Sequence, residues 1–206
     1  AREMAKQMGV KLTLVPTAWD GIIAGLITDK YDIIMSGMTI TQQRNLEVNF
    51  SDPYIVVGQT VLLRNSLAST IKSAKDLDKP EYTIVTKLGV TGEIATRKFF
   101  KKAKIVTFET ESDATSEVLN GKADAMVYDQ PYNVVFMSDK GKDKLVHLDT
   151  SLTYEPLGFA IRKGDPDFLN WLNNFIRQSK EDKVVGFSDE LYNKWLVDTS
   201  WLQRVQ

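Results

Sequence analysis

The chain has 206 residues, of which 43% are hydrophobic and 26% charged, and these proportions fit one globular domain or two small ones. Its formal net charge is −1, so no overall basic field favours nucleic acid as a partner. No cysteine and only one histidine, His147, are present, which excludes zinc–thiolate sites, disulfides and cysteine nucleophiles. We therefore expect neither a metal nor a cofactor.

The first third of the chain alternates between helical and strand patterns. Residues 1–9 have helical spacing and a glycine stop but no cap, which predicts a helix whose beginning has been removed, together with any signal peptide. The pattern then predicts a strand over Val10–Pro16, a helix over Asp20–Thr28 and a buried strand over Ile33–Met35. A long β-branched apolar run predicts a single strand over Ile55–Leu63.

The rest of the chain continues this alternation. Asp165 and Pro166 supply a cap and a first-turn proline for a helix that runs to Gln178. Strands that alternate with helices are typical of an α/β fold with largely parallel sheets. The remaining predicted elements are helices over Ser73–Leu77, Glu93–Phe100, Asp113–Asn120, Pro131–Ser138, Asp189–Leu196 and Trp201–Val205, and strands over Tyr82–Thr86, Ile105–Phe108, Ala125–Tyr128 and Leu157–Arg162.

A weak internal repeat indicates two similar lobes. Residues 26–35 and 118–127 both contain a helix end, a lysine, an aspartate and then a short apolar strand. Each strand is followed by polar residues, Ser36-Gly37 in one case and Tyr128-Asp129 in the other. Ligands bind at this edge of open α/β sheets, so two such edges favour two lobes that face each other across a cleft. Chance could also produce so short a repeat.

The polar residues after the strand Ile33–Met35 form the first candidate site. Gly37 allows a ligand to approach the backbone, Thr39 and Thr41 offer hydroxyls, and Arg44 lies three residues beyond a candidate helix cap at Thr41. An arginine beside the N–H groups of a helix N-terminus is a suitable receptor for a carboxylate. The alternative is a strand, a turn and a capped helix with a solvated Arg44.

A second candidate site is the loop from Lys87 to Glu93. Gly89 and Gly92 permit close backbone approach, Thr91 offers a hydroxyl, and the predicted helix that follows has free N–H groups at its start. The loop lacks the spacing of a phosphate-binding loop. Taken alone, it is better explained as an ordinary glycine-containing turn.

Two further side chains are candidates for a ligand contact. Asp129 follows the strand Ala125–Tyr128 and could pair with an ammonium group, although capping of the helix at Pro131 is an equal alternative. Trp19 lies at a strand-to-helix junction, where its ring could cover an apolar or cationic side chain or could pack in the core.

Most of the chain resembles the extracytoplasmic amino-acid-binding proteins of bacterial ABC importers, solute-binding protein family 3, of the polar or basic amino-acid type. The resemblance implies a two-lobed fold of the periplasmic-binding-protein kind, type II, with the ligand in a cleft between the lobes and hinge closure around it. The matching segments are residues 20–23, 30–34, 37–41 with Arg44, 50–54, 89–93, 121–124, 157–161 and 191–195.

The resemblance also implies roles for individual residues. Arg44 would bind the ligand carboxylate with help from Thr39 and Thr91, the backbone at Gly37 and the carboxylate of Asp129 would hold the α-ammonium, and Trp19 would lie along the ligand side chain. The full set of ligand-binding residues that we predict is Trp19, Gly37, Met38, Thr39, Arg44, Lys87, Thr91 and Asp129.

Family members begin with a strand and an aromatic loop that have no counterpart in these 206 residues. The resemblance therefore implies a first lobe of residues 1–53 and 158–206 without its N-terminal strand, a second lobe of residues 59–152, and hinge crossovers at 54–58 and 153–157. An absent strand leaves unpaired backbone groups and an open groove. We expect a monomer if the protein is complete and association through the exposed strand edge if it is truncated.

The resulting hypothesis is a periplasmic binding protein, not an enzyme, that captures a polar, cationic L-amino acid such as lysine or arginine and delivers it to a membrane ABC permease. A ring at Trp19 with acidic groups nearby would suit a cationic side chain. We expect no nucleic acid partner and no stable membrane insertion. The alternative is a cyclohexadienyl or arogenate dehydratase-like enzyme on the same scaffold, for which Glu93 and Glu155 are the nearest candidate acids.

Overall fold

The computed structural model describes residues 1–182 and 186–204 and has the alternating α/β pattern that the sequence predicts. Most predicted strands are present within one or two residues of their expected bounds. The strands are β1 Ile33–Ile34, β2 Asn49–Phe50, β3 Ile55–Val57, β4 Gln59–Arg64, β5 Thr83–Lys87, β6 Lys104–Phe108, β7 Ala125–Asp129, β8 Leu145–Leu148, β9 Glu155–Leu157 and β10 Ala160–Ile161.

Some of the helices begin at side-chain caps that the sequence provides. The Asp165 carboxylate accepts the N–H of Phe168, with Pro166 as the first helical residue, and the Thr110 hydroxyl accepts the N–H of Asp113. The α-helices are α1 Arg2–Met8, α2 Ile22–Ile27, α3 Gln42–Asn45, α4 Thr91–Phe99, α5 Glu111–Leu119, α6 Gln130–Ser138, α7 Pro166–Glu181 and α8 Ser188–Tyr192, with short 3₁₀ helices at Asn65–Leu67, Ala74–Leu77 and Ser200–Arg204.

The chain divides into two compact units. The first unit contains Ala1–Val56 and Pro156–Glu190, and the second contains Val57–Glu155 and Leu191–Gln206. The chain passes from one unit to the other in β3 and again in β9, and these two strands pair with each other. The predicted division assigned all of residues 158–206 to the first lobe, whereas those from Leu191 onward group with the second unit.

The second unit is built on a five-stranded sheet in the order β6-β5-β7-β4-β8. β5 pairs in parallel with β6 and β7, and β4 pairs antiparallel with β7 and β8. Val61, Leu62 and Leu63 of β4 are completely buried, because both faces of the sheet are covered. Alternate side chains of β4 therefore pack on opposite faces of the sheet. Val61 belongs to one hydrophobic cluster and Leu62 to another.

The first unit has a smaller sheet of three strands in the order β1-β10-β2, with antiparallel pairing. Leu26 of α2 packs with Ile34 and Ala160 in one cluster, and Leu172 of α7 packs with Ile161 in another. All five side chains are at most 2% exposed. This core fixes the end of β1, after which the first candidate site begins.

The strand predicted over Val10–Pro16 is not formed in the structure, so this prediction is wrong for the described chain. Val10, Leu14 and Val15 are 54%, 71% and 47% exposed, although their apolar and β-branched character favours a strand. The physical reason is that a strand needs a partner, and none of the described strands pairs with this segment.

Two other predicted strands are divided by glycines. The strand expected over Ile55–Leu63 is broken at Gly58, where a Cβ would overlap the hydroxyl of Ser151 and lie 2.8 Å from the carbonyl of Thr153. The strand expected over Leu157–Arg162 is broken at Gly158. Because a neighbouring segment approaches the backbone so closely, only glycine fits at position 58. The strand is interrupted there, and β4 begins at the next residue.

The C-terminal helices also differ from the prediction. The helix predicted over Asp189–Leu196 is an α-helix only to Tyr192 and continues as a π-helix over Asn193–Val197. The helix predicted over Trp201–Val205 is a 3₁₀ helix, Ser200–Arg204, and Val205 lies outside the described residues. No helix in residues 1–182 and 186–204 is long and apolar enough to cross a membrane.

Candidate ligand-binding site

In the first unit, the chain leaves β1 through a turn that brings its backbone to the surface. Ile34 is 2% exposed, whereas Ser36, two residues later, is exposed. Gly37 has a φ of 65°, a left-handed conformation that glycine adopts without a steric cost. The side chain of Met38 is completely buried in the cluster that contains Leu26 and Ile34. A ligand contact at Met38 would therefore have to use its backbone.

Arg44 is oriented by three groups of the first unit. Its Nη1 donates to the carbonyl of Thr39 at 2.8 Å, and its guanidinium carbon lies 5.3 Å from the centroid of the Trp19 ring. Its backbone N–H donates to the Thr41 hydroxyl at 3.2 Å, which confirms Thr41 as the N-cap of α3. A guanidinium with a carbonyl at one edge and a ring against its face has few orientations left. Such a group can bind a carboxylate through two parallel N–H bonds.

In the second unit, the backbone of the loop before α4 is hydrogen-bonded to a carboxylate from that helix. Gly89 has a φ of 74°, and its N–H donates to Oε2 of Glu93 at 2.8 Å. Oε1 of the same carboxylate accepts from Nε of Arg97 at 2.9 Å. Thr91 is the first residue of α4, and Val90 before it supplies no side-chain cap. The sequence contains a signal for this contact, because glutamate is favoured at the third position of a helix.

Lys87, predicted as a ligand contact, is paired with an acidic residue that the sequence did not single out. Its Nζ lies 2.7 Å from Oε2 of Glu111, the first residue of α5. Burial opposes ionisation of Glu111, but the hydrogen bond and charge of Lys87 outweigh it, so the pKa of Glu111 lies below its ordinary value. Burial, and then the charges of Glu111 and Asp129, raise the pKa of the Tyr128 hydroxyl.

Asp129 is the last residue of β7 and lies directly opposite Gln59 of β4. Nε2 of Gln59 donates to Oδ1 of Asp129 at 2.5 Å. Asp129 also occupies the N-cap position of α6, but its side chain makes no capping hydrogen bond to that helix within the described chain. The capping alternative is therefore not what the structure shows.

Predicted site residues of the first unit contact one another, and one predicted residue of the second unit bonds to a residue that was not predicted. Trp19, Thr39 and Arg44 are in contact in the first unit. In the second unit, a residue that sequence reasoning missed, Gln59, bonds to Asp129. A weak signal for it exists, because Gln59 is a polar residue in the apolar run of Ile55–Leu63.

This geometry, an α/β scaffold with polar groups at the ends of its strands, is that of a protein that binds a small polar molecule. The chain belongs to the bacterial extracellular solute-binding proteins, family 3, whose sequence model matches residues 1–198. This membership confirms the predicted family.

Individual relatives agree with this assignment. A crystal structure from Wolinella succinogenes, described as a candidate binding component of an ABC transporter complexed with lysine, is 64% identical, with a TM-score of 0.94 over 98% of this chain and 85% of its own. It confirms the predicted fold class. The L-cystine-binding protein TcyJ of Escherichia coli is 28% identical over 95% of this chain and 71% of its own length. The cyclohexadienyl dehydratase of Pseudomonas aeruginosa is 32% identical over 63% of this chain and 48% of its own length.

Proposed function

We propose that the chain is the binding component of a bacterial ABC importer and that it captures a cationic L-amino acid, lysine or arginine. The observation that carries this proposal is the 64% identity to a structure complexed with lysine. The family supplies the solute-binding role, and the oriented guanidinium of Arg44 supplies a receptor for the carboxylate that all amino acids share.

The roles proposed for the site residues follow from their chemistry. Arg44 binds the α-carboxylate, with Thr39 and Thr91 as further donors. Asp129 and the backbone at Gly37 hold the α-ammonium. Trp19, which already lies against one cation, the guanidinium of Arg44, is suited to the side chain of a cationic ligand. Met38 contributes through its backbone, and Lys87 keeps Glu111 ionised at the edge of the site.

The lobe boundaries are part of the same proposal. Residues 1–53 with 158–190 form one lobe, and residues 59–152, with which the chain from Leu191 onward groups, form the other. Crossovers at 54–58 and 153–157 act as the hinge on which the lobes close around the ligand. The division between the two compact units falls within β3 and β9, and this supports the position of the hinge. The ligand is then delivered, on the periplasmic side, to a membrane permease that binds the closed protein transiently.

The same scaffold also has an enzymatic relative, the dehydratase, so catalysis is the second candidate function. The two carboxylates considered as general acids are poorly placed for it. Glu93 bonds to Gly89 and Arg97, and Glu155 is only 4% exposed. We therefore propose that the chain is not an enzyme. Incubation with arogenate or prephenate should yield no product by chromatography, and turnover would overturn this part of the proposal.

A calorimetric titration with each of the twenty amino acids tests the proposed function. We expect lysine and arginine to bind more tightly than glutamine, which has a similar length but no charge. A protein that binds no amino acid would contradict the role in transport. Preference for a neutral or acidic amino acid would keep that role and reject the cationic ligand.

A further inference from the structure

We propose that Gln59 is a positioning residue that fixes the carboxylate of Asp129 in the orientation needed for the α-ammonium of the ligand. This inference rests on the proposed function, since it gives Gln59 a role only if Asp129 binds an ammonium group. It extends that function to a buried residue that does not itself need to contact the ligand.

The first observation is the direct contact between the two side chains. Gln59 is 1% exposed, and its Nε2 donates to Oδ1 of Asp129 at 2.5 Å. An ionised carboxylate only accepts hydrogen bonds, so the amide must turn its NH₂ group toward Asp129. The orientation of both groups is therefore set by their chemistry and not by packing alone.

The second observation is that both backbone groups of Gln59, its N–H and its carbonyl, are hydrogen-bonded. Its N–H donates to the hydroxyl of Thr153 at 3.0 Å, and its carbonyl accepts from the N–H of Leu152 at 2.8 Å. Both partners lie in the segment that precedes β9. Because Gln59 also pairs with Asp129 across the β4–β7 ladder, the amide cannot shift along the strand.

The third observation is the close approach of α4 to the amide. Oε1 of Gln59 is buried and has no hydrogen-bond partner among the residues that the structure describes. A Cβ on Gly92 would lie 2.8 Å from this oxygen. Glycine at this position therefore leaves room for the amide in the orientation that Asp129 requires. A methyl group would push it away.

These contacts hold the carboxylate in place before a ligand arrives. A group that is already oriented loses less conformational entropy when it binds, which raises affinity without a new contact. The effect should concern the ammonium group of the ligand, because that is the group that Asp129 binds in our proposal. Stability of the fold is a separate property and can be measured separately.

Gln59→Met tests the proposal, because methionine has a similar length but cannot donate to Asp129. Thr86→Val is the matched control: Thr86 is also completely buried, its Oγ1 has no partner within residues 1–182 and 186–204, and it lies 3.4 Å from the same Cβ position of Gly92. Gly92→Ala adds a methyl group beside Oε1 of Gln59 and should displace the amide from Asp129. Affinities are measured by titration with L-lysine and with 6-aminohexanoate, which is lysine without its α-amino group.

We expect Gln59→Met to reduce the affinity for L-lysine about tenfold or more, which corresponds to the loss of one hydrogen bond to a charged group. The affinity for 6-aminohexanoate should decrease much less. Gly92→Ala should act in the same direction, and Thr86→Val should leave L-lysine binding unchanged. Unchanged L-lysine affinity in Gln59→Met, or an equal loss in Thr86→Val, would overturn the proposal. A wild-type protein that binds no amino acid would instead reject the proposed function itself.

Discussion

At the scale of single residues, Arg44 is the side chain whose removal should affect binding most. Its guanidinium is oriented by Thr39 and Trp19 before any ligand is present. Removal of one partner of a buried charge pair typically costs about 2–5 kcal/mol of binding free energy. Arg44→Ala should therefore reduce lysine affinity at least about thirtyfold in calorimetry. Arg177→Ala, which removes an exposed arginine of α7 in the same unit, is the control and should bind normally.

Asp129 provides a second prediction at this scale. Asp129→Asn keeps the size of the side chain but removes the charge that attracts an ammonium group. Lysine should bind much more weakly to the variant, whereas the affinity for 6-aminohexanoate should change little. Because the amide oxygen of asparagine can still accept the hydrogen bond from Nε2 of Gln59, the melting temperature should change little. If both ligands lose affinity equally, the carboxylate has a structural role.

At the scale of elements, the pairing of β8 with β4 contains the one histidine of the chain. Nε2 of His147 lies 2.8 Å from the Thr60 hydroxyl, and Nδ1 lies 3.8 Å from Oδ1 of Asp149. Burial lowers the pKa of His147, and the charge of Asp149 only partly opposes this. The unfolded chain, with an ordinary pKa near 6.5, therefore binds a proton more readily than the folded protein.

The free energy of unfolding should consequently decrease as the pH falls below about 6.5 and toward the lower pKa of the folded state. Urea denaturation at a series of pH values measures this, with His147→Gln as the control that cannot titrate. The difference between wild type and variant should change over this interval. A constant difference would mean that the folded pKa of His147 is not lowered.

At the scale of the whole molecule, the edge of β1 is expected to mediate association of the 206-residue chain. β1 is an edge strand among the described strands, and a groove of about 660 Å³ beside it is lined by residues of α1, by residues 10–13 and by Val15, among others. Leu14, which lies in the chain between two of these lining residues, is 71% exposed. Unpaired strand edges with apolar neighbours are common sites of association between identical chains.

Light scattering after size exclusion tests this expectation. Leu14→Lys places a charge beside the groove and should shift the chain toward the monomer. Leu46→Lys alters a leucine of equal exposure, 70%, elsewhere in the same unit, and should leave association unchanged. A wild-type chain that is monomeric at high concentration would contradict the prediction.

The sequence by itself determined those features that depend on residues close together in the chain. The Thr41 cap before Arg44, the Asp165-Pro166 start of α7 and the polar end of β7 at Asp129 were all predicted and are present. Caps, turns and periodic burial are set by neighbours within a few positions, so a single sequence contains the information. The family resemblance then extended these local features to a fold class.

Only the tertiary structure decided which distant residues meet. Gln59 bonds to Asp129 across 70 residues, and Lys87 pairs with Glu111 across 24. Val10–Pro16 has the composition of a strand, yet it is not one, because no strand in the described chain pairs with it. Strand pairing and polar contacts between distant side chains depend on where the backbone brings remote segments together, and the composition of a segment does not state what will lie beside it.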